Sequence, residues 1–250
     1  MTDLGTSPAE AVEARIRLAD ALRVTIDTTV SADVDTAALV AAAEAVEEVN
    51  RGLAQASGPE MLARRPPDLR APAQEFFPTS PILGLCNPMA PPVRVVIVEG
   101  ADGGFPAIAG TANFGYPYQG PPTCVHGGII AETFDEVLGA ALLAASLPGM
   151  TGTLTVRYRK PTPLLTDLRI EARVVRHQGR KVFAEAAIYR DDDVLTAEAE
   201  GVFIMVDPTQ LLAIAEGNVD GVDPVMMDAV RAEALRRGAA SDVHPGTPAG

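Results

Sequence analysis

The sequence predicts an α+β fold: one long apolar helix packed on one face of an antiparallel sheet of about six strands, preceded by a helical extension. Three observations carry this reading. One uninterrupted apolar helix is expected over residues 127–146, opened by Gly127-Gly128. Short β-rich runs flank it, two before and four after. The turns between the later runs are short, which favours antiparallel pairing and leaves a single helix to cover the sheet.

Taken in order, Ser7-Pro8-Ala9-Glu10 has the form of a capping box with proline at the first helical position, so a helix is expected to begin there. Val12, Ile16, Leu18, Ala19 and Leu22 give it an apolar stripe. A second helix is expected after Asp35, where Leu39, Ala42, Val46, Val49 and Leu53 recur at three-four spacing. Residues 1–58 are therefore read as an N-terminal helical extension. Nine prolines fall between Pro59 and Pro92, so residues 59–92 are read as a Pro-rich segment wrapping the next domain, with Gly84 to Pro92 ordered within it. Strands are expected at Val93–Val98, Gly104–Phe114, Thr153–Arg159, Leu168–Arg176, Val182–Tyr189 and Val194–Val206, the last four as a meander. Their hairpin turns are His177-Gln178-Gly179-Arg180 and Asp191-Asp192-Asp193. Residues 93–207 thus make one domain, and 208–250 a tail that is partly helical or disordered.

A net charge of −13 argues against nucleic acid and anionic membrane as partners. Hydrophobic content of 47% with only 4% aromatics predicts a core of Ala, Val, Leu and Ile. Cys86 and Cys124 are too few for a disulfide framework or zinc cluster. Met1 to Gly5 carries no basic or apolar leader, and no apolar run is long enough to span a membrane, so a soluble cytoplasmic protein is expected.

The stretch Val125-His126-Gly127-Gly128 followed by Asp135 carries the chemistry. Consecutive glycines let a ligand approach the backbone, and free N–H groups at a helix N-terminus attract negative charge. A carboxylate deeper in the helix can serve as base or nucleophile. An oxyanion donor and a reactive acid are the parts acyl transfer needs. Gly127 and Asp135 are about 12 Å apart along the axis at helical rise, too far to touch one carbonyl carbon, so a shared substrate requires two subunits. Asp135 also shares a stripe with Gly128, Glu132, Glu136, Gly139 and Ser146, the pattern of a solvated face. The other faces are almost wholly apolar, however, so the helix is enclosed and Asp135 is read as catalytic, with Glu132 and Glu136 structural. His126 is assigned positioning rather than proton transfer. Between Thr151 and Lys181, eight basic side chains face only Asp167 and Glu171, a local reversal of sign that suits an anionic substrate.

These motifs resemble the hotdog fold, and within it the PaaI-like acyl-CoA thioesterases of the 4-hydroxybenzoyl-CoA thioesterase superfamily. The resemblance rests on Gly120-Pro121-Pro122 before Val125-His126-Gly127-Gly128, Asp135 nine residues after the histidine, Met150-Thr151 opening a strand, Tyr158-Arg159-Lys160-Pro161 closing it, and the Gly179-Arg180-Lys181 turn. It implies a sheet wrapped on one central helix and a homodimer or dimer of dimers, with no metal or redox cofactor. It implies that the Gly127 N–H polarises the thioester carbonyl, His126 shapes that corner, Asp135 of the facing subunit activates water or attacks, and Thr151 orients water or carboxylate. Gln119 stands near where many relatives carry an asparagine. Gly128, Arg159, Lys160, Arg180 and Lys181 would bind substrate, the basic ones through the phosphates of coenzyme A. A dehydratase would need a second histidine, and His177 and His244 are ill placed. A DNA-binding regulator would need a basic N-terminal unit, whereas residues 1–60 hold eleven acidic and four basic side chains. A non-catalytic acyl-CoA binder is the alternative.

Overall fold

The computed structural model describes residues 8–56, 78–91, 93–100, 103–190 and 193–205. The described residues fall into two compact units, one holding 8–32 with 78–205 and the other holding the second helix. Helix α1 (Pro8–Ser31) begins at the expected proline, while Ser7 of its capping box lies outside the described residues. Helix α2 (Thr36–Ala56) is capped as its sequence suggests, the Ala38 N–H donating to Asp35 Oδ1 at 2.8 Å. The expected tail, 208–250, lies outside the described residues.

Strands β1 (Arg94–Val98), β2 (Ala107–Ala112), β3 (Gly149–Tyr158), β4 (Leu168–Gln178), β5 (Lys181–Arg190) and β6 (Leu195–Met205) form one sheet, entirely antiparallel, with helix α3 (Gly127–Ala144) against it. The order β1-β2-β4-β5-β6-β3 corrects the expected four-strand meander. Only β4, β5 and β6 meander; β3 pairs with β6 at the edge, and β4 pairs with β2. The physical reason is the β3–β4 connection, which spans residues 159–167 with Pro161 and Pro163 and is no hairpin turn. β4 also runs further than expected, so that Gly179 at φ 56° and Arg180 alone turn the hairpin.

Alternation places one face of β4 and β5 inside, and the inward set includes Ala172, Ala184, Ala186, Ala197, Ala199 and Gly201. These small residues give α3 room. A Cβ on Gly201 would fall 2.4 Å from the Phe203 ring and 3.2 Å from Leu138 Cδ1. Against this floor α3 buries Ile130, Phe134, Val137, Leu138 and Leu142, each contributing about 1.5–3 kcal/mol. The helix stops at Ala144 by a Schellman motif: Ser146 adopts φ 59°, its N–H donates to Leu143 O, and the Leu147 N–H donates to Leu142 O.

The described part of the Pro-rich segment reaches into this core, where Ile82 and Leu83 are fully buried. Ser80 anchors it. Its Oγ accepts from the Ile82 and Leu83 N–H groups, and its hydroxyl donates to Glu136 Oε1 of α3 at 2.5 Å.

Burial pushes the Glu136 carboxyl above the ordinary carboxylate range; the Ser80 hydroxyl opposes this, and the charges of Asp135 and Glu132 add to it. A raised folded-state pKa favours folding fully at low pH, and that contribution is lost as pH rises through the raised value. Glu136→Gln keeps the acceptor for Ser80 and removes the titration. Thermal unfolding is expected to show Glu136→Gln gaining on the parent as pH rises from the carboxylate range to neutrality; a constant offset across pH would contradict this.

Candidate active site

α3 is tied to β3 at its N-terminus and at its middle. At the N-terminus His126 is the N-cap residue, its Nδ1 accepting from the Gly128 N–H at 3.0 Å. The His126 N–H donates to Tyr118 O at 2.8 Å, and the Tyr158 hydroxyl donates to Gly127 O at 2.8 Å. Gly120 is required by close approach, because a Cβ there would lie 2.8 Å from the His126 Cα. The Gly127 N–H has no acceptor among the described residues, as expected of the first helical amide. Two turns along, the Thr151 hydroxyl donates to Asp135 Oδ1 at 2.7 Å.

One strand reaches both of these points on the helix through a change of parity. Thr151 and Tyr158 are seven residues apart, a spacing that in a regular strand sends side chains to opposite faces. Here Thr151 lies opposite Phe203 and Tyr158 opposite Ala197, both core-facing, so both point at α3. A β-bulge between Thr151 and Thr153, with Gly152 as the extra residue, supplies the correction. A Cβ on Gly152 would approach Val202 O at 3.2 Å and Ile204 Cγ1 at 3.4 Å.

The structure therefore joins Asp135 to Thr151, and His126 to Gly127 and Gly128. It keeps those two groups at opposite ends of β3. Gln119 is exposed beside the turn, bridged through its backbone to Val125. Tyr158, Gly152 and Gly120 were not assigned roles from the sequence, although Tyr158 and Gly120 stand within its motifs.

The basic run is corrected. Along the chain it is strongly positive, but in the sheet Arg157 pairs with Glu200, Arg159 with Glu198, Arg169 with Glu171 and Asp193, and Arg173 with Glu185. The acids come mainly from β5 and β6, beyond the stretch counted. Arg176 stacks over Phe183, and Arg180 donates to Met205 O. Lys160, Arg180 and Lys181 have no carboxylate partner among the described residues. Lys181 stands opposite Ile204, which stands opposite Met150, so the β4–β5 hairpin shares the Thr151–Asp135 end of the sheet. Among the described residues no cluster of three or more His, Cys, Asp or Glu could hold a metal ion, and no helix is long and apolar enough to cross a membrane.

Residues 123–197 match the thioesterase superfamily model. A crystal structure described as a thioesterase superfamily protein is 32% identical, with a TM-score of 0.66 over 76% of this chain and 90% of that one. The chain belongs to the thioesterase superfamily. Its sheet and central helix are the hotdog fold of that superfamily. Among curated relatives, acyl-coenzyme A thioesterase THEM4 of Xenopus laevis is 40% identical over 94 residues, which is 37% of this chain and 42% of the relative. The Mus musculus protein of the same name is 35% identical over 99 residues, 39% of this chain and 43% of its own. The chain thus spans less than half the length of these curated relatives.

Two glycines of this superfamily member separate packing from placement. Gly139 in α3 has nothing within 4 Å of an added Cβ, so Gly139→Ala is expected to stabilise by roughly 0.5–1 kcal/mol. Gly152→Val meets the Val202 carbonyl and is expected to cost about 1–3 kcal/mol. Urea unfolding of both checks this; a neutral Gly152→Val would show the bulge accommodates a side chain.

Proposed function

We propose that this chain hydrolyses the thioester of an acyl-CoA to free acid and CoA, at sites shared between two copies of itself. The carrying observation is the Thr151–Asp135 hydrogen bond at one end of β3, with the His126-capped N-terminus of α3 at the other. The names of the curated relatives agree with this reading.

β3 is an edge strand with one side unpaired, and unpaired edges are templates for another strand. Antiparallel pairing of two β3 strands about their centre would bring the Thr151–Asp135 end of one protomer to the Tyr158–Gly127 end of its partner. The thioester carbonyl oxygen then accepts from the Gly127 N–H, where the helix N-terminus favours the charge that develops on it. Asp135 of the facing subunit, held by the Thr151 hydroxyl, takes a proton from water as the water oxygen attacks the carbonyl carbon. If its carboxylate attacks that carbon instead, it displaces the CoA thiolate to give an acyl-aspartyl anhydride, which water then hydrolyses, freeing Asp135 and giving up a proton. The C–S bond breaks and the proton passes to the CoA thiolate. Arg180 and Lys181 lie at the Asp135 end of the sheet, and Arg159 and Lys160 of the other copy would approach the same place, which suits the CoA phosphates. A dimer of dimers is compatible with this pairing. A cytoplasmic location is part of the proposal, in keeping with two unpaired cysteines.

Asp135→Asn keeps shape and removes the charge. Turnover of acyl-CoA is expected to fall by roughly two to four orders of magnitude with binding retained. Near-normal turnover would remove the assignment, and sedimentation showing an active monomer would remove the shared site.

Arg180→Ala with Lys181→Ala is expected to raise KM for acyl-CoA at least about tenfold, from about 1.5–3 kcal/mol per lost charge-assisted contact. A short thioester without the nucleotide should be affected far less. Equal shifts on both substrates would mean the hairpin does not hold CoA.

A further inference from the structure

We propose that Arg23 of α1 is a positioning residue for the reaction above, fixing the carbonyl-polarising end of α3 from outside the sheet domain's own strands. The proposal rests on the thioesterase reading for its activity test, and on geometry for everything else.

Among its described side chains, helix α1 buries Ala19 fully and Val12, Ile16, Leu18 and Leu22 in part, while Val24 and Val30 are exposed. Its polar contacts centre on one guanidinium, whose side chain is 18% exposed. Arg23 Nε donates to Ala90 O at 2.9 Å, and Nη2 donates to Gly84 O, Leu85 O and Asn87 O at 3.2, 2.9 and 2.7 Å. Nη1 pairs with Asp20 one turn earlier. Four carbonyls of the loop 84–90 thus converge on a single side chain, which the planar fork of arginine suits and a lysine ammonium does not.

That loop is joined to the site. The Tyr118 hydroxyl donates to Met89 O at 2.9 Å, and Tyr118 O accepts from the His126 N–H, next to Gly127. Tyr118 sits in the short 3₁₀ turn Tyr116–Tyr118, and its ring packs edge-on against the buried Phe114. α1 also touches this turn directly, since a Cβ on Gly115 would meet Asp27 Oδ1 at 2.7 Å. Burial raises the Tyr118 phenol, with the Arg23 charge opposing, which agrees with their proximity. The path from α1 to the first amide of α3 is therefore Arg23, loop, Tyr118, His126. Each step is a hydrogen bond to backbone, the kind of contact that sets where a helix terminus lies rather than what it is made of.

The test compares Arg23→Ala, Arg23→Lys, Tyr118→Phe and the Arg23→Ala/Tyr118→Phe double variant in the full chain. Misplacing a catalytic donor by about an ångström costs up to about a hundredfold. Arg23→Ala is expected to lower kcat for acyl-CoA by about tenfold or more with KM changed less than about threefold, Arg23→Lys to recover part of it, and the double variant to be no worse than Arg23→Ala. Amide hydrogen exchange gives a readout free of turnover: the His126 and Gly128 amides should lose protection in Arg23→Ala while those of β4 and β5 keep theirs. Losses that multiply in the double variant, or unchanged protection at His126 and Gly128, would overturn the proposal. A parent chain that hydrolyses no acyl-CoA would fail the reading above, and hydrogen exchange would still judge the network.

Discussion

The closeness of α3 to the sheet governs the rest of the molecule, because Ala172, Ala184, Ala186, Ala197 and Ala199 offer only methyl groups beneath it and Gly201 offers none. Leu138 and Phe203 occupy the space that a side chain on Gly201 would fill. At that distance a side chain as short as threonine on β3 can bond a carboxylate on the helix, and a tyrosine at the other end can reach the first helical carbonyl. A floor of leucines would lift the helix and break both contacts.

Within that frame the N-terminus and the middle of α3 have different chemistry for different reasons. The N-terminal end is defined by backbone: a histidine cap, two glycines and a close approach by Gly120, so that amides rather than side chains face outward. The Asp135 region is defined by a side-chain pair on two elements. In the proposed reaction neither group suffices alone, and the rigid helix that fixes both also holds them apart. Around them, strand charges cancel across the ladder, with Arg157, Arg159, Arg169 and Arg173 each meeting an acid on the strand beside them or close by. Such exposed pairs contribute little stability, and their effect is to leave the hairpin residues Arg180 and Lys181 as uncancelled charge.

Different parts of the chain are attached by different forces. The sheet and α3 are held by apolar burial, the loop 78–91 by Ile82 and Leu83 in the core and the Ser80–Glu136 bond, and α1 by a partly buried apolar stripe together with the Arg23 clamp on loop carbonyls. Polar attachment is directional and can set the position of a loop closely, but it is also more sensitive to a single substitution than a distributed core.

By itself the sequence determined the helix and strand pattern, the glycine-opened α3 and the acid within it, since each is a local signal with a period of 3.6 or 2 or a turn residue behind it. Its alternation placed the start of β3 four residues late, at Thr153, because the bulge at Gly152 interrupts the pattern, whereas the Met150-Thr151 motif falls inside the strand. It joined β3 to β4, because adjacency in sequence is the only neighbour relation a sequence displays, whereas β6 is the partner. It counted basic residues along one stretch, and the cancelling Glu185, Glu198 and Glu200 come from strands further on. It gave no sign that Ile82 and Leu83 enter the core or that Arg23 clamps a loop more than sixty residues away, since neither has a repeat to betray it. Only the tertiary structure decided these, because strand order, charge pairing and long-range clamps are set by which surfaces meet once α3 has found its floor.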